Sequence, residues 1–152
     1  MELKQIYAPV KEDLEKIKAE LKTVSRINYP WLAKQLSYIL GETGKAMRPA
    51  FVLLAGKCFK YNWEHLLPMG VSVELMHTAT LVHDDAIDKA DTRRKRRTMN
   101  SLWGNEIAIL MGDFLFAKAG EYVADTQTPR VIKLFSQTLA TISSGEIGQF
   151  RG

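Results

Sequence analysis

The sequence predicts an all-α protein on three observations. Apolar residues recur at intervals of three and four, the period of a helix, along much of the 152 residues. Glycine and proline stand where those stretches would end or begin, as at Gly41 and Pro49. The alternation of apolar and polar residues that is typical of a half-buried strand is almost absent. With 46% hydrophobic residues the chain can bury a real core, and its length fits one domain or part of one.

The first three predicted helices lie near the N-terminus. Residues 6–24 carry one apolar stripe on an otherwise charged helix. A second stripe, over residues 31–40, is followed by Gly41, which suits a helix C-terminus. Pro49 then begins the third helix, because proline is favoured at the first helical position.

Three more long helices are predicted after these. Residues 69–88 are apolar on several faces, so this helix should be central and surrounded by others, and the same holds for residues 107–122. The Thr-Pro pair at 128–129 is a start signal for the last helix. Segments 41–47 and 89–105 lack helical periodicity, and we expect a functional site to be built from them.

Charge and cysteine content restrict the class of protein. The net charge of +4 is modest and lies largely in residues 93–97, which favours a small anionic ligand over an extended polyanion. Nucleic acid is disfavoured because neighbouring carboxylates would repel its phosphates and no aromatic residues are interleaved with the basic run. One cysteine, Cys58, permits no internal disulfide and suits a cytoplasmic protein. Neither a signal peptide nor a membrane-spanning segment is predicted.

Three carboxylates stand at the end of the apolar run 69–88: Asp84, Asp85 and Asp88. On a helix, Asp84 and Asp88 lie one turn apart on one face, and carboxylates about 5.5 Å apart repel by roughly 3 kcal/mol at an effective dielectric of about 20. Oxygen ligands suit a hard cation such as Mg²⁺. For the three acids alone, a solvated acidic helix end is an equally good interpretation.

Basic residues flank the acids in the sequence and suggest a phosphate ester as ligand. Five basic residues follow at 93–97, and guanidinium groups bind phosphate oxygens in a forked geometry. Lys45 and Arg48 stand at a predicted helix N-terminus, which also favours an anion. His77 lies two turns before Asp84 on roughly the same face. We therefore expect Asp84 and Asp88 to face a cavity that contains Lys45, Arg48 and His77, although a solvated loop and a packed histidine are the simpler alternatives.

Taken together, these motifs resemble the trans-polyprenyl diphosphate synthases, with the first aspartate-rich motif, DDxxD, at residues 84–88. The matching segments occur in the order and spacing of that family, at residues 44–49, 74–88, 91–94, 102–105 and 112–113, and the resemblance extends over the chain from about residue 31. It implies a helical bundle of the isoprenoid synthase type, here about the first half of the fold. It also implies a homodimer.

The resemblance implies a role for each acidic residue. Asp84 and Asp88 resemble Mg²⁺ ligands, with Asp85 in the same acidic wall. The metal would bridge to the diphosphate of an allylic substrate. Loss of that diphosphate leaves a carbocation, and metal and arginine stabilise the charge on the departing group.

The basic residues resemble the part of the site that binds diphosphates. Lys45, Arg48, His77 and Arg94 resemble the residues that bind isopentenyl diphosphate, and Arg93 resembles the arginine for the allylic diphosphate. Attack by the double bond of isopentenyl diphosphate, followed by proton loss, would extend the chain by one prenyl unit.

The sequence departs from the family in two ways. Lys95 stands where the family usually has glycine after the arginine pair. Family members are also roughly twice as long, consistent with one domain of up to about 300 residues. The second aspartate-rich motif is missing, and neither Asp113 nor Asp125 has the adjacent carboxylate needed to replace it.

We therefore interpret residues 1–152 as the N-terminal half of one synthase domain: a truncated form, a proteolytic fragment or one part of a split enzyme. The chain alone should be nearly inactive. Its partner would be a complementary C-terminal half or a second copy. The alternative of a different class is a noncatalytic helical subunit or interaction module with the same fold, and a helical nucleic-acid-binding protein is a distant third.

Product length follows from the residues behind the acids. Met76 and Thr80 share the face of Asp84, with Ala79 beside them. The family uses bulky aromatics near 79 and 80 as the floor of a short pocket. Because both residues are small here, we expect an all-trans product of C20 or longer, with C30 to C40 in reach, and a shorter product from Ala79→Phe.

Overall fold

The computed structural model describes residues 2–41 and 44–152. Residues 42 and 43, which belong to the segment 41–47 expected to form part of a site, lie outside the described residues. The described helices are α1 (Leu3–Tyr7), α2 (Lys11–Thr23), α3 (Pro30–Leu40), α4 (Met47–Lys57), α5 (Trp63–Ile87), α6 (Met99–Trp103), α7 (Asn105–Asp125) and α8 (Pro129–Arg151), with strands β1 (Thr92–Arg93) and β2 (Arg96–Arg97).

The all-α prediction is confirmed, and the six long predicted helices correspond to α2, α3, α4, α5, α7 and α8. Their boundaries differ at several places. The 3₁₀ turn Ala8–Val10, which contains Pro9, separates α1 from α2. The helix α4 begins two residues before Pro49, after Ala46 turns the chain with a positive φ of 46°. The helix α5 begins at Trp63, earlier than expected.

The helix α5 is the centre of the structure, as its apolar sequence predicted. A side-chain cap fixes its start, where the Glu64 backbone N–H donates to the Asn62 side-chain oxygen at 3.1 Å. Its most extensive contact is with α7, and α4 and α2 cover other parts of its surface. The Ser72 hydroxyl donates to the Ala119 carbonyl of α7 at 3.0 Å, which satisfies a fully buried polar group.

A close approach between α5 and α7 sets the position of the acidic end of α5. Gly112 of α7 has no side chain, and a Cβ there would overlap the His83 ring. The His83 Nε2 lies 2.8 Å from the Ile109 carbonyl oxygen, and its ring meets Phe116 edge to face at 5.5 Å between centroids. These contacts hold α5 against α7 at His83, one residue before Asp84.

The segment 89–105, expected to be irregular, contains a short hairpin and the helix α6. In the hairpin Thr92 pairs with Arg97 and Arg93 with Arg96. Arg94 and Lys95 form its turn, and both have positive φ, 50° and 66°. Positive φ at both central residues is typical of the two-residue turns that join antiparallel strands.

The last helix, α8, has no buried residue, although its sequence is amphipathic. Leu134 is 63% exposed, Ile147 63% and Phe150 81%. Within the described residues, none of the helices combines the length and the apolar character needed to cross a membrane.

Candidate functional site

A cavity of about 500 Å³ lies where α5, the start of α4 and the 92–97 hairpin meet. It is strongly basic. The basic, acidic and histidine residues that line it are Lys45, Arg48, Glu74, His77, Asp85, Arg93, Arg94, Arg96 and Arg97. The predicted phosphate-binding residues, which are distant in sequence, are therefore brought together around one space.

The turn before α4 forms one wall of this cavity. Gly44 has a positive φ of 52°, and the Arg94 Nη1 atom would lie 3.4 Å from a Cβ at Gly44. The turn thus leaves room for the Arg94 guanidinium beside the backbone. Lys45 and Arg48 are exposed on the same turn, so their charges can reach a ligand without being desolvated by the protein.

His77 projects into the cavity from α5 as a neutral group. Burial, together with the positive charges of Arg48, Arg94 and Arg93, lowers the pKa of His77 to about 4. At neutral pH its imidazole can donate one hydrogen bond but carries no charge. A bound anion would oppose the arginine effect and favour the protonated form.

Glu74, one turn before His77, was not singled out by the sequence interpretation. Its Oε2 atom is buried and has no hydrogen-bond partner among the described residues. Burial raises the pKa of Glu74, while Arg48 and, more weakly, Arg94 oppose the increase. The sequence holds a signal for this residue, a carboxylate within an apolar helical run, three positions before a histidine.

Asp85 and Arg93 form the best-defined ion pair in the site. The Arg93 Nε donates to both Asp85 oxygens at 3.0 Å, and Nη2 lies 3.0 Å from Oδ1. Asp85 is buried and lines the cavity. This corrects the expectation that Asp84 and Asp88 face the cavity with Lys45, Arg48 and His77, because the helical twist turns Asp85 inward instead.

Asp84 and Asp88 lie at the end of α5 outside that cavity lining. Asp88 is exposed and Asp84 is half-buried. Burial and the Glu146 carboxylate of α8 raise the pKa of Asp84, Arg93 opposes them, and Asp88 and Asp85 add to the increase. Glu146 was also missed, because nothing in the sequence brings two residues so far apart into one electrostatic environment.

This crowding of carboxylates suits a hard cation. Among residues 2–41 and 44–152, no group of three or more His, Cys, Asp or Glu side chains is arranged to hold a metal ion by itself. Mg²⁺ requires only one or two protein carboxylates when water and phosphate oxygens fill its other positions. The donor set of Asp84 and Asp88 fits that requirement.

The residues predicted to set product length have different surroundings. Ala79 has no accessible surface, whereas Met76 and Thr80 are half-buried. The Thr80 hydroxyl donates to the His77 carbonyl at 2.7 Å. A larger side chain at position 79 would have to displace packed atoms. Position 80 is therefore the better place to probe the pocket, and the role of all three residues stays a prediction.

Tyr38 attaches the hairpin to α3, and the sequence offered no signal for it. Its hydroxyl donates to the Arg97 carbonyl at 2.9 Å, and its carbonyl accepts from the Arg96 Nη2 at 3.3 Å. The Arg96 guanidinium also stacks over the Tyr38 ring, 4.3 Å from its centroid. These contacts fix the hairpin that carries Arg93 and Arg94.

Sequence comparison gives clear relatives. The model of the polyprenyl synthetase family matches residues 29–151. Heptaprenyl diphosphate synthase component 2 of Geobacillus stearothermophilus is 38% identical over 151 residues, which cover 99% of this chain and 47% of that protein. The chloroplastic solanesyl diphosphate synthase 2 of Arabidopsis thaliana is 36% identical over 154 residues, with coverage of 97% and 37%.

Solved structures of prenyl diphosphate synthases share this fold, and two of them are similar to this chain over nearly its whole length. A decaprenyl diphosphate synthase from Rhodobacter capsulatus has a TM-score of 0.89 at 30% identity, over 97% of this chain and 46% of that one. Heptaprenyl diphosphate synthase from Staphylococcus aureus has a TM-score of 0.85 at 34% identity, over 93% of this chain and 45% of that one. The chain spans about half the length of these relatives, or less.

Proposed function

Because the chain belongs to the polyprenyl synthetase family, we propose that residues 1–152 are the N-terminal half of a Mg²⁺-dependent prenyltransferase domain. The complete enzyme would condense isopentenyl diphosphate with an allylic diphosphate into a medium or long all-trans polyprenyl diphosphate. The observation that carries this proposal is the basic cavity beside the acidic end of α5.

Isopentenyl diphosphate would bind in the basic cavity. Lys45, Arg48 and Arg94 supply charged donors for its phosphate oxygens, and the neutral His77 supplies one further N–H. The position of the Arg94 guanidinium supports this assignment, because it lies beside the Gly44 backbone in the lining of the same cavity.

The allylic diphosphate would bind at the end of α5 with Mg²⁺. Asp84 and Asp88 would hold the ion, and Arg93, oriented by Asp85, would face the same diphosphate. When bound, Mg²⁺ supplies positive charge that stabilises the departing diphosphate. Burial and the neighbouring carboxylates raise the pKa of Asp84, and a bound cation would offset both effects, which supports this role.

In this reaction the protein binds, orients and shields the substrates, and no side chain acts as a nucleophile. The allylic carbon–oxygen bond would break with both electrons remaining on the diphosphate, and the double bond of isopentenyl diphosphate would attack the resulting carbocation. The adduct would then lose a proton to the released diphosphate or to water. Arginine N–H groups stabilise the negative charge on the leaving group. Packed apolar residues around α5 would keep water from the carbocation.

Product length would be set along the face of α5 behind Asp84. Thr80 and Met76 continue that face away from the acids, and neither is a large aromatic residue. The names of the heptaprenyl and solanesyl relatives support a product longer than C20 for the complete enzyme.

The exposed apolar face of α8 supports a partner for this chain. Either a complementary C-terminal half or a second copy in a homodimer would cover Leu134, Ile147 and Phe150. A second candidate function, a subunit that contributes only part of an enzyme, is favoured by the component 2 name of the Geobacillus stearothermophilus relative.

Binding of isopentenyl diphosphate tests the proposal. Calorimetry should detect one site on the chain, and Arg94→Gln should weaken it by about tenfold through loss of a charge-assisted contact. Arg26→Gln is the matched control, because Arg26 lies three residues after the end of α2 and outside this cavity. Equal binding by both variants, or no binding to the unchanged chain, would refute the assignment.

A further inference from the structure

We propose that Glu74 is a positioning residue: its carboxylate holds the Arg48 guanidinium in the direction needed to bind a diphosphate in the basic cavity. The inference rests on the proposed function, because it requires that this cavity binds a diphosphate. It adds a residue that would act on the substrate only through another side chain.

The environment of Glu74 is the first reason. It lies on α5 in the cavity wall, and its Oε2 atom is buried with no hydrogen-bond partner in the described part of the chain. A buried acceptor without a donor is unfavourable. In a cavity lined mainly by arginine and lysine, the missing donor is best supplied by a side chain that moves when a ligand binds.

Arg48 is the best candidate for that donor. Of the two arginines whose charge acts on Glu74, Arg48 has the larger effect. Arg94 is placed beside the Gly44 backbone, whereas Arg48 is exposed in the first turn of α4 and can reorient. Among the described residues, no ion pair joins Glu74 to either arginine.

The geometry of a guanidinium group makes the shared contact feasible. Arginine has five N–H donors on more than one edge, so one edge can bind a carboxylate while another binds phosphate oxygens. A carboxylate behind the arginine removes much of its rotational freedom. When Arg48 contacts both groups, the carboxylate of Glu74 would orient the guanidinium toward the diphosphate.

Simple electrostatics predicts the opposite effect of removing Glu74. A negative charge in an anion site repels the ligand, so its loss should tighten binding if charge were the only factor. Positioning predicts weaker binding. The sign of the change in affinity therefore distinguishes the two explanations.

The experiment measures the dissociation constant of inorganic pyrophosphate by calorimetry at fixed ionic strength, on the 152-residue chain. Glu74→Gln should weaken binding by about tenfold, and Glu74→Asp, which keeps the charge but shortens the reach, by less. Glu64→Gln is the matched control, because it removes an exposed carboxylate about 15 Å away on the same helix and should change affinity by less than about twofold.

A double-mutant cycle tests whether Glu74 acts through Arg48. In an Arg48→Gln background, Glu74→Gln should change affinity by less than about twofold, because the positioned group is already gone. Unchanged or tighter binding by Glu74→Gln in the otherwise unaltered chain would overturn the proposal, and so would an equal loss in both backgrounds. If Glu74→Gln fails to fold, Glu74→Asp takes its place with the same criteria. If the unaltered chain does not bind pyrophosphate, the assignment of the cavity as a diphosphate site fails, and the proposed role of Glu74 fails with it.

Discussion

Lys95 occupies a backbone conformation that disfavours its own side chain. Its φ of 66° lies in the left-handed region, and residue 94 beside it is similar at 50°. Glycine adopts this conformation with little penalty, which gives a physical reason for the glycine expected here from the family pattern. The hairpin forms in spite of lysine because Tyr38 holds its second strand.

Lys95→Gly should raise the free energy of unfolding by about 0.5–1 kcal/mol. Glycine adopts the positive φ without strain, and this gain exceeds the loss that comes from the greater flexibility of glycine in the unfolded chain. Chemical denaturation measures the change. Lys95→Ala removes the same charge but retains the strain, so it should stay within about 0.5 kcal/mol of the parent protein. Equal stabilisation by both variants would mean that the charge, and not the conformation, matters.

His77 should make stability depend on pH. Its pKa is about 4 in the folded chain and about 6.5 when unfolded, so the unfolded state binds more protons between these values. Stability should therefore fall as the pH is lowered from about 6.5 to 4. In His77→Gln this part of the acid-induced decline should be smaller, as followed by the melting temperature across that range. Identical pH profiles would contradict the low pKa.

The sequence predicted the basic residues of the cavity but misplaced the acids around it. Charge and spacing identified Lys45, Arg48, His77, Arg93 and Arg94, and the structure places all of them around one space. Which of three neighbouring aspartates turns inward depends on the rotation of α5, which packing against α7 determines. Spacing within one helix carries no information about that rotation.

At the scale of elements, the contact between α5 and α7 holds the acidic end of α5 in place. Gly112→Ala should destabilise the chain by about 1–3 kcal/mol, because a Cβ would overlap the His83 ring, which is hydrogen-bonded and packed on Phe116. Urea denaturation measures this change.

Gly120→Ala is the matched control on the same helix. A Cβ at Gly120 meets nothing within 4 Å, so alanine should be neutral or stabilising by up to about 1 kcal/mol. Similar stability changes in the two variants would contradict the role of Gly112 in the close approach of α5 and α7.

The face of α5 behind the acids gives an ordered prediction for product length. In the complete enzyme, Thr80→Phe should give a shorter product than Met76→Phe, because the two positions are four residues apart, or about 6 Å along the helix. Chromatography of the dephosphorylated products measures both. A reversed order, or chains of unchanged length in both variants, would remove this face from the pocket.

At the scale of the whole molecule, the helical class and the central helix were predictable because apolar periodicity is a local property of the sequence. The hairpin at 92–97 was not, because its strands are two residues long and its turn lacks glycine. The apolar residues of α8 recur at helical spacing, but this spacing does not tell whether the chain itself covers them. The structure leaves that side exposed among the described residues.

The central claim is that this chain contributes half of a prenyl-transfer site. Its most direct test is turnover of labelled isopentenyl diphosphate with an allylic primer and Mg²⁺, using the chain alone and the chain mixed with the C-terminal half of a homologous synthase. We expect almost no product from the chain alone, product from the mixture, and its loss in Asp84→Ala. Full turnover by the chain alone, or a mixture whose turnover is unchanged by Asp84→Ala, would contradict the claim.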